Sequence, residues 1–341
     1  MSNTLLEVKD LKTYFESKDR ILKAADGVSF SINEGETFGL VGESGCGKST
    51  TCRSLIRLIH KPGRIVGGEI LYKGTDVVKM SEKELEKLRG KEIGMIFQEP
   101  MTALNPVLKV KEQLMESFKE KGLSKKEKYD KAVNLLKLVG IPSPEQRLES
   151  YPYQFSGGMR QRTMIAIALA SQPHLLLADE PTTALDVTIQ DQIIKLLNRL
   201  KRELNMSMIL VTHDLGAAAQ MCDRIAVMYG GMIMENTDVV TLFSTPRHPY
   251  TLGLLGSIAV NVGKGDKLKP IQGSPPDLAN MPEGCPFAPR CQYCEESCKQ
   301  GVPELKEIAP GHWSRCRCVD KLENAPGIIS LESKGGKSDG E

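Results

Sequence analysis

Gly42-Glu43-Ser44-Gly45-Cys46-Gly47-Lys48-Ser49 reads G-x-x-x-x-G-K-S. Upstream, Thr37-Phe38-Gly39-Leu40-Val41 is short, apolar and β-prone; downstream, Thr50 to Ile59 has helical character. The motif therefore falls between a predicted strand and a predicted helix, the context in which such a loop cradles phosphate. Glycines let the backbone curl until its N–H groups face an anion. The following helix adds the positive end of its dipole. Lys48 is expected to reach the β- and γ-phosphates of a nucleotide, and the Ser49 hydroxyl to coordinate Mg2+.

The flanks extend an α/β pattern. Leu6, Val8 and Leu11 in 5–12, and Val28, Phe30 and Ile32 in 27–37, read as strands. Tyr14 and Phe15 follow the first, where an aromatic ring could stack on a base or belong to the core. Gly67–Tyr72 starts another strand. Ser81–Arg89 is a charged helix opened by Ser81 with Glu84 three residues on, a capping-box pattern. Ile93–Phe97 reads as a buried strand ending in Gln98. Residues 100–155 then turn lysine- and glutamate-rich and lose the strand pattern, with helices over 110–121 and 125–139, as a helical subdomain inserted in an α/β domain would. From Ser156 the pattern resumes: a helix over 159–171, a strand at Leu175–Ala178 ending in Asp179-Glu180, and an amphipathic helix over 188–204. A strand at Met208–Val211 ends in Thr212-His213, and a hairpin turns at Gly230-Gly231. Apolar strand runs separated by helices imply a mostly parallel sheet covered on both faces. Around Pro270–Pro276 the pattern stops. A loop-rich segment follows, and beyond Val319 a polar tail that should be disordered.

Composition narrows the class. The 341 residues are 40% hydrophobic and 26% charged, with a formal net charge of +2. This suits a globular protein and gives no charge-based argument for nucleic acid. No apolar run approaches the roughly 18 residues that span a bilayer, and the polar start Met1-Ser2-Asn3-Thr4 does not read as a signal peptide. A cytoplasmic location is expected. Of nine cysteines, six lie in the pattern C-x5-C-x2-C-x3-C-x17-C-x-C from Cys285 to Cys318. In a reducing compartment that points to metal rather than to disulfides.

Lys48 and Ser49 need a carboxylate to complete a metal site, and Asp179 at a strand end is the candidate, because ligands sit at strand C-termini in open α/β sheets. Two adjacent carboxylates ending an apolar strand are costly without positive partners. Glu180 is then placed to orient or deprotonate a water, a role worth roughly 10²–10⁴ in rate. Gln98 and His213, also at strand ends, could contact the metal, the water or the γ-phosphate. Ser156-Gly157-Gly158 opens a second glycine-led helix, the same anion-seeking arrangement. With only one phosphate loop, it suggests that each chain offers this segment to the nucleotide on a partner.

These segments, with Ala184-Leu185-Asp186, resemble in order and spacing the ATP-binding cassette ATPases: Walker A, Q-loop, signature, Walker B with its glutamate, D-loop and switch histidine. The signature departs from the family at Met159, where glutamine is common. The resemblance spans about residues 5–260. It implies a P-loop NTPase fold with a RecA-like core (1–98 and 156–260), an antiparallel β subdomain and a helical subdomain (99–155). It implies ATP contacts at Gly42, Glu43, Ser44, Gly45, Cys46, Gly47, Lys48, Ser49, Thr50 and Gln98, with Phe15, or else Tyr14, against adenine. Mg2+ would be held by Ser49, Gln98 and Asp179. Glu180, His213 and Lys48 would be catalytic, with Ser156, Gly157 and Gly158 acting in trans and Asp186 in the D-loop.

Gln98–Pro106, Arg247-His248-Pro249-Tyr250-Thr251 and Gly284–Cys291 resemble the oligopeptide/dipeptide importer branch. That resemblance implies pairing with a homologous ATPase subunit, or with itself in isolation. It implies two permease subunits, whose coupling helix would meet the helical subdomain, and indirectly an extracytoplasmic peptide-binding protein. The chain would sit at the cytoplasmic face of the membrane. An importer for another solute such as nickel or a sugar oligomer, or a soluble non-transport cassette ATPase, is the alternative. The branch also implies a [4Fe–4S] cluster on Cys285, Cys291, Cys298 and Cys316 within a C-terminal extension, 261–319, followed by the tail, 320–341. Cys294 and Cys318 are near neighbours, and His312 keeps zinc open.

Overall fold

The computed structural model describes residues 3–118, 122–257 and 271–322. Its strands are β1 (Thr4–Glu16), β2 (Ile21–Asn33), β3 (Thr37–Val41), β4 (Gly63–Tyr72), β5 (Thr75–Asp76), β6 (Ile93–Ile96), β7 (Leu175–Asp179), β8 (Ser207–Thr212), β9 (Arg224–Tyr229), β10 (Met232–Asp238), β11 (Lys306–Ala309) and β12 (His312–Ser314). They form two sheets: an antiparallel one ordered β2-β1-β4-β5, and a larger one ordered β11-β12-β10-β9-β3-β8-β7-β6.

From β9 to β6 the larger sheet is parallel. Every residue of β3, β7 and β8 is buried, as expected of strands covered on both faces. One face packs against the antiparallel sheet, with Leu6, Val28 and Ile70 sharing a core with Leu40, Leu177 and Ile209. The other face packs against helices. Ile193, Leu197 and Leu200 of the helix Val187–Glu203 and Ile165 and Leu169 of the helix Gly157–Leu169 share a core with Leu176 and Met208. The same core takes in Val110, Leu114, Leu136 and Leu148 from the helices between 110 and 148.

Local chemistry sets the element ends. Gly230 and Gly231 both have positive φ, 57° and 78°. That is the two-residue turn whose twist matches an antiparallel pair, here β9 and β10. Ser81 and Glu84 form the reciprocal capping box, as do Ser124 and Glu127 ahead of the helix Lys125–Leu138. Two expectations need correction. The helix after the phosphate loop spans only Lys48–Ser54, not to Ile59; by Arg57 the backbone has turned left-handed, φ 49°, and no helix passes through that conformation. The helix expected over 110–121 is described over Val110–Ser117, and its last three positions lie outside the described residues.

The largest departure is in the C-terminal segment, expected to be loop-rich. Its hairpin β11–β12 extends the central sheet: Ser314 pairs with Glu235 and Trp313 with Asn236 of β10. A buried pair fastens it. His312 Nε2 lies 2.7 Å from Glu235 Oε1, with the two side chains 6% and 0% exposed, and the same oxygen accepts the Arg247 N–H at 2.6 Å. Residues 261–270 and 323–341, which carry part of the expected extension and most of the expected tail, lie outside the described residues.

Removing one member of a buried pair strands the other. Glu235→Ala is therefore expected to lower unfolding free energy by about 3 kcal/mol and to expose the hairpin to protease. Urea melts with limited proteolysis check this; an unchanged midpoint and cleavage pattern would show that the pair does not hold the hairpin.

Candidate active site

The strand order places the chemistry. β6, β7, β8 and β3 are parallel neighbours, so their C-terminal ends emerge side by side. Gln98 follows β6, Asp179 and Glu180 end and follow β7, His213 follows β8, and the glycine loop follows β3.

The loop's backbone excludes a side chain at two places. Gly42 has φ 156°, and a Cβ there would lie 2.2 Å from the Met228 carbonyl oxygen. Gly47 has φ 100°, and its Cβ would lie 1.9 Å from the Ala24 carbonyl oxygen. The glycines thus let the loop pass tightly between β2 and β9 while opening a helix N-terminus. Lys48 is 4% exposed. Its ammonium donates to the carbonyls of Gly42 and Glu43, both at 2.8 Å, and approaches the Cys46 sulfur at 3.7 Å. Burial pushes that thiol above its ordinary pKa, so all three acceptors are neutral.

The Ser49 hydroxyl donates to Asp179 Oδ1 at 2.6 Å, and Arg53 Nη2 lies 3.2 Å from Oδ2 of this fully buried carboxylate. A hydroxyl and a carboxylate oxygen meeting at a phosphate loop are hard donors that suit Mg2+. Glu180 is held in left-handed backbone, φ 48°, a conformation costing of order 1–3 kcal/mol; its N–H donates to the Val211 carbonyl. Its carboxylate accepts from Gln98 Nε2 at 3.0 Å and from the Thr183 hydroxyl at 2.8 Å, and His213 Nδ1 stands 3.6 Å away. Gln98 thus meets Glu180 and not Asp179. Thr183 carried no sequence signal of its own; only its place one turn after Glu180 hints at it.

Ser156 caps the helix Gly157–Leu169, accepting the Met159 N–H, and Ser156 and Gly157 are exposed. Gly158 packs under Ile189, where a Cβ would come within 3.0 Å of Cγ2. Asp186 caps the helix Val187–Glu203 from an exposed position. On β1, the Tyr14 hydroxyl donates to Asp26 at 2.6 Å, while the Phe15 ring lies against Gly63.

All nine cysteines are unpaired. Cys285, Cys291, Cys298, Cys316 and Cys318 line one small cavity, with the Cys298 and Cys318 sulfurs 3.9 Å apart. Cys294 lines a neighbouring one with Cys285. Burial raises the thiols of Cys285 and Cys294, and those of Cys291 to about 11 and of Cys316 and Cys318 to about 12. Among the described residues no three His, Cys, Asp or Glu side chains are grouped so as to hold a metal ion. His312, a possible zinc ligand from sequence, is bonded to Glu235 instead.

Residues 25–183 match the ABC transporter family, and residues 234–298 match the oligopeptide/dipeptide transporter C-terminal region. The oligopeptide transport ATP-binding protein OppD of Bacillus subtilis is 50% identical over 312 residues, spanning 91% of this chain and 87% of its own. The dipeptide transport ATP-binding protein DppD of the same organism is 47% identical over 333 residues, 97% and 99%. The chain is an ATP-binding cassette ATPase of the oligopeptide/dipeptide transporter family. Among solved structures, a dimeric ATP-binding cassette in a post-hydrolysis state with ADP and phosphate is 30% identical. It covers 69% of this chain and 98% of its own, at TM-score 0.62. Among the described residues no helix of this ATPase is long and apolar enough to cross a membrane.

Asp179→Asn keeps the shape of the side chain and removes its negative charge. The Mg2+ enhancement of ATP binding is expected to fall by roughly 100-fold, the upper end of what altered ligand shells cost. Titrating ATP with and without Mg2+ checks this; an enhancement equal to the parent's would remove Asp179 from the metal site.

Proposed function

We propose that this chain binds and hydrolyses ATP to drive import of dipeptides or oligopeptides through two permease subunits at the cytoplasmic face of the membrane. The observation that carries the catalytic part is the row of adjacent strand ends, which brings Gln98, Asp179, Glu180 and His213 to the edge where the glycine loop sits. In this reading Gly42 to Thr50 wrap the phosphates and Lys48 leaves its carbonyl acceptors for the β- and γ-oxygens. Ser49 and Asp179 would hold Mg2+, which would supply charge neutralisation on the phosphates. Glu180 accepts a proton from the attacking water; its left-handed backbone aims the carboxylate. Gln98 and Thr183, both on the same Glu180 oxygen, keep it oriented, and His213 donates to the γ-phosphate. Phe15, or else Tyr14, stacks on adenine.

The exposed Ser156 and Gly157 and the cap residue Asp186 belong to a second role: closing the site on a partner ATPase, a homologous subunit or a second copy. ATP held between two such faces stabilises the closed pair, and hydrolysis releases it. A groove of about 510 Å3 lined by Ile56, Arg89, Phe97, Asn105, Leu108 and Gln113 lies beside Gln98 and would take a permease segment. Peptide as the cargo is supported by the names of the relatives and by the match of residues 234–298.

For Glu180→Gln, ATP binding is expected to persist while hydrolysis falls by roughly 10²–10⁴. Single-turnover assays with bound ATP check this, and full turnover would remove Glu180 from the mechanism.

The same reading gives Cys285, Cys291, Cys298 and Cys316 to a [4Fe–4S] cluster, with Cys318 beside them and zinc as the alternative. Soft thiolates are the donors both would take, and five of the cysteines line one cavity. A small segment with little core of its own gains most from such a staple. Anaerobically purified protein is expected to contain about four iron and four sulfide per chain; zinc without either would overturn the assignment.

A further inference from the structure

Glu43 sets an electrostatic problem, since it places a carboxylate in the loop that must receive a polyphosphate. Its charge is met from a residue 247 positions away. Arg290 Nη1 donates to Glu43 Oε2 at 2.7 Å and Nη2 to Oε1 at 3.1 Å, a two-pronged pair whose arginine side chain is 5% exposed. The guanidinium is itself fixed on the Gln272 carbonyl at 2.9 Å and the Tyr229 hydroxyl at 3.2 Å, over the Tyr229 ring. From the same side the Tyr250 hydroxyl accepts the Glu43 N–H at 2.9 Å. Tyr250, Tyr229 and Phe287 pack as one aromatic cluster, with centroids 4.6 to 5.3 Å apart. The carbonyls of Gly42 and Glu43 are those that hold Lys48. One residue thus joins the catalytic lysine to the C-terminal segment.

We infer that Arg290 is a positioning residue for the phosphate loop: it neutralises and immobilises Glu43, so that the C-terminal segment sets the affinity for ATP. This rests on the ATPase reading above. Two consequences distinguish it from a merely structural contact. First, losing the guanidinium leaves a partly buried, unpaired carboxylate in the phosphate loop, whereas losing both partners leaves none, and stranding one half of a pair costs more than removing both. Second, the loss falls on nucleotide binding more than on the chemical step, because Arg290 acts through the loop and not on the attacking water.

The test measures Mg2+–ATP dissociation constants and steady-state kinetics for the full chain. Arg290→Gln is expected to raise Kd about tenfold, a usual size for coupling between packed sites, and to raise KM more than it lowers kcat. Glu43→Gln is expected to cost less, and the double variant to bind like Glu43→Gln alone. Arg290→Met fills the same buried volume without charge and serves where the glutamine variant does not fold. Parental Kd in both Arg290 variants, or a double variant as weak as Arg290→Gln, would overturn the inference while leaving the ATPase reading intact. A parent chain that binds no ATP would overturn both.

Discussion

A buried ammonium with only neutral acceptors is the constraint on which the site depends. Lys48 is almost wholly withdrawn from water, yet its bonds go to two carbonyls and a protonated thiol. Burial of a charge without an opposite one is expensive. The loop between β3 and its helix adds to that cost, because it also turns backbone N–H groups and a positive helix end the same way. All of that field has one sign, and an anion relieves it. The tight passage of Gly42 and Gly47 against the Met228 and Ala24 carbonyls keeps the field from dissipating by rearrangement of the loop.

The acidic half of the site is arranged to match. Asp179 is spoken for by Ser49 and Arg53, while Glu180, the next residue, is bonded by an amide, a hydroxyl and a distant imidazole. Two neighbouring carboxylates thereby differ in partners: one has a cation and a would-be metal ligand, the other an amide and a hydroxyl that fix its direction. Glu180 has left strand geometry for left-handed backbone, φ 48°, so the alternation that sends consecutive strand side chains to opposite faces does not govern it. Strain of that kind persists only where the surroundings hold it, and the Glu180 N–H bond to Val211 is part of that hold.

What was legible in the sequence was local or periodic. The phosphate loop, the buried strands and the capping boxes each announce themselves within ten residues. The polar ends of β6, β7 and β8 were legible too, but their adjacency needed the strand order. The hairpin β11–β12 was not legible because every residue of β11 is exposed and β12 has three residues; no alternation survives at that length. His312 could not be assigned from spacing, since an imidazole serves a metal or a carboxylate equally well, and Glu235 lies 77 positions away. Tyr14 and Phe15 sit next to each other on β1, so alternation sends them to opposite faces, and periodicity alone gives no way to choose between them.

The C-terminal segment is tied to the ATPase core at points that differ in kind. Backbone pairing of β12 with β10 gives register, the His312–Glu235 pair gives a buried polar lock, and Arg290 reaches the nucleotide loop itself. Sheet pairing alone would let the segment breathe without consequence for the site. The Arg290–Glu43 pair removes that independence, because any displacement of the turn Ala288–Arg290 strands a carboxylate next to Lys48's acceptors. That turn lies between Cys285 and Cys291, both on the wall of the cysteine cavity. Whatever order the cavity imposes on its lining is therefore transmitted over one to five residues of chain to Arg290 and so to the loop that must hold phosphate.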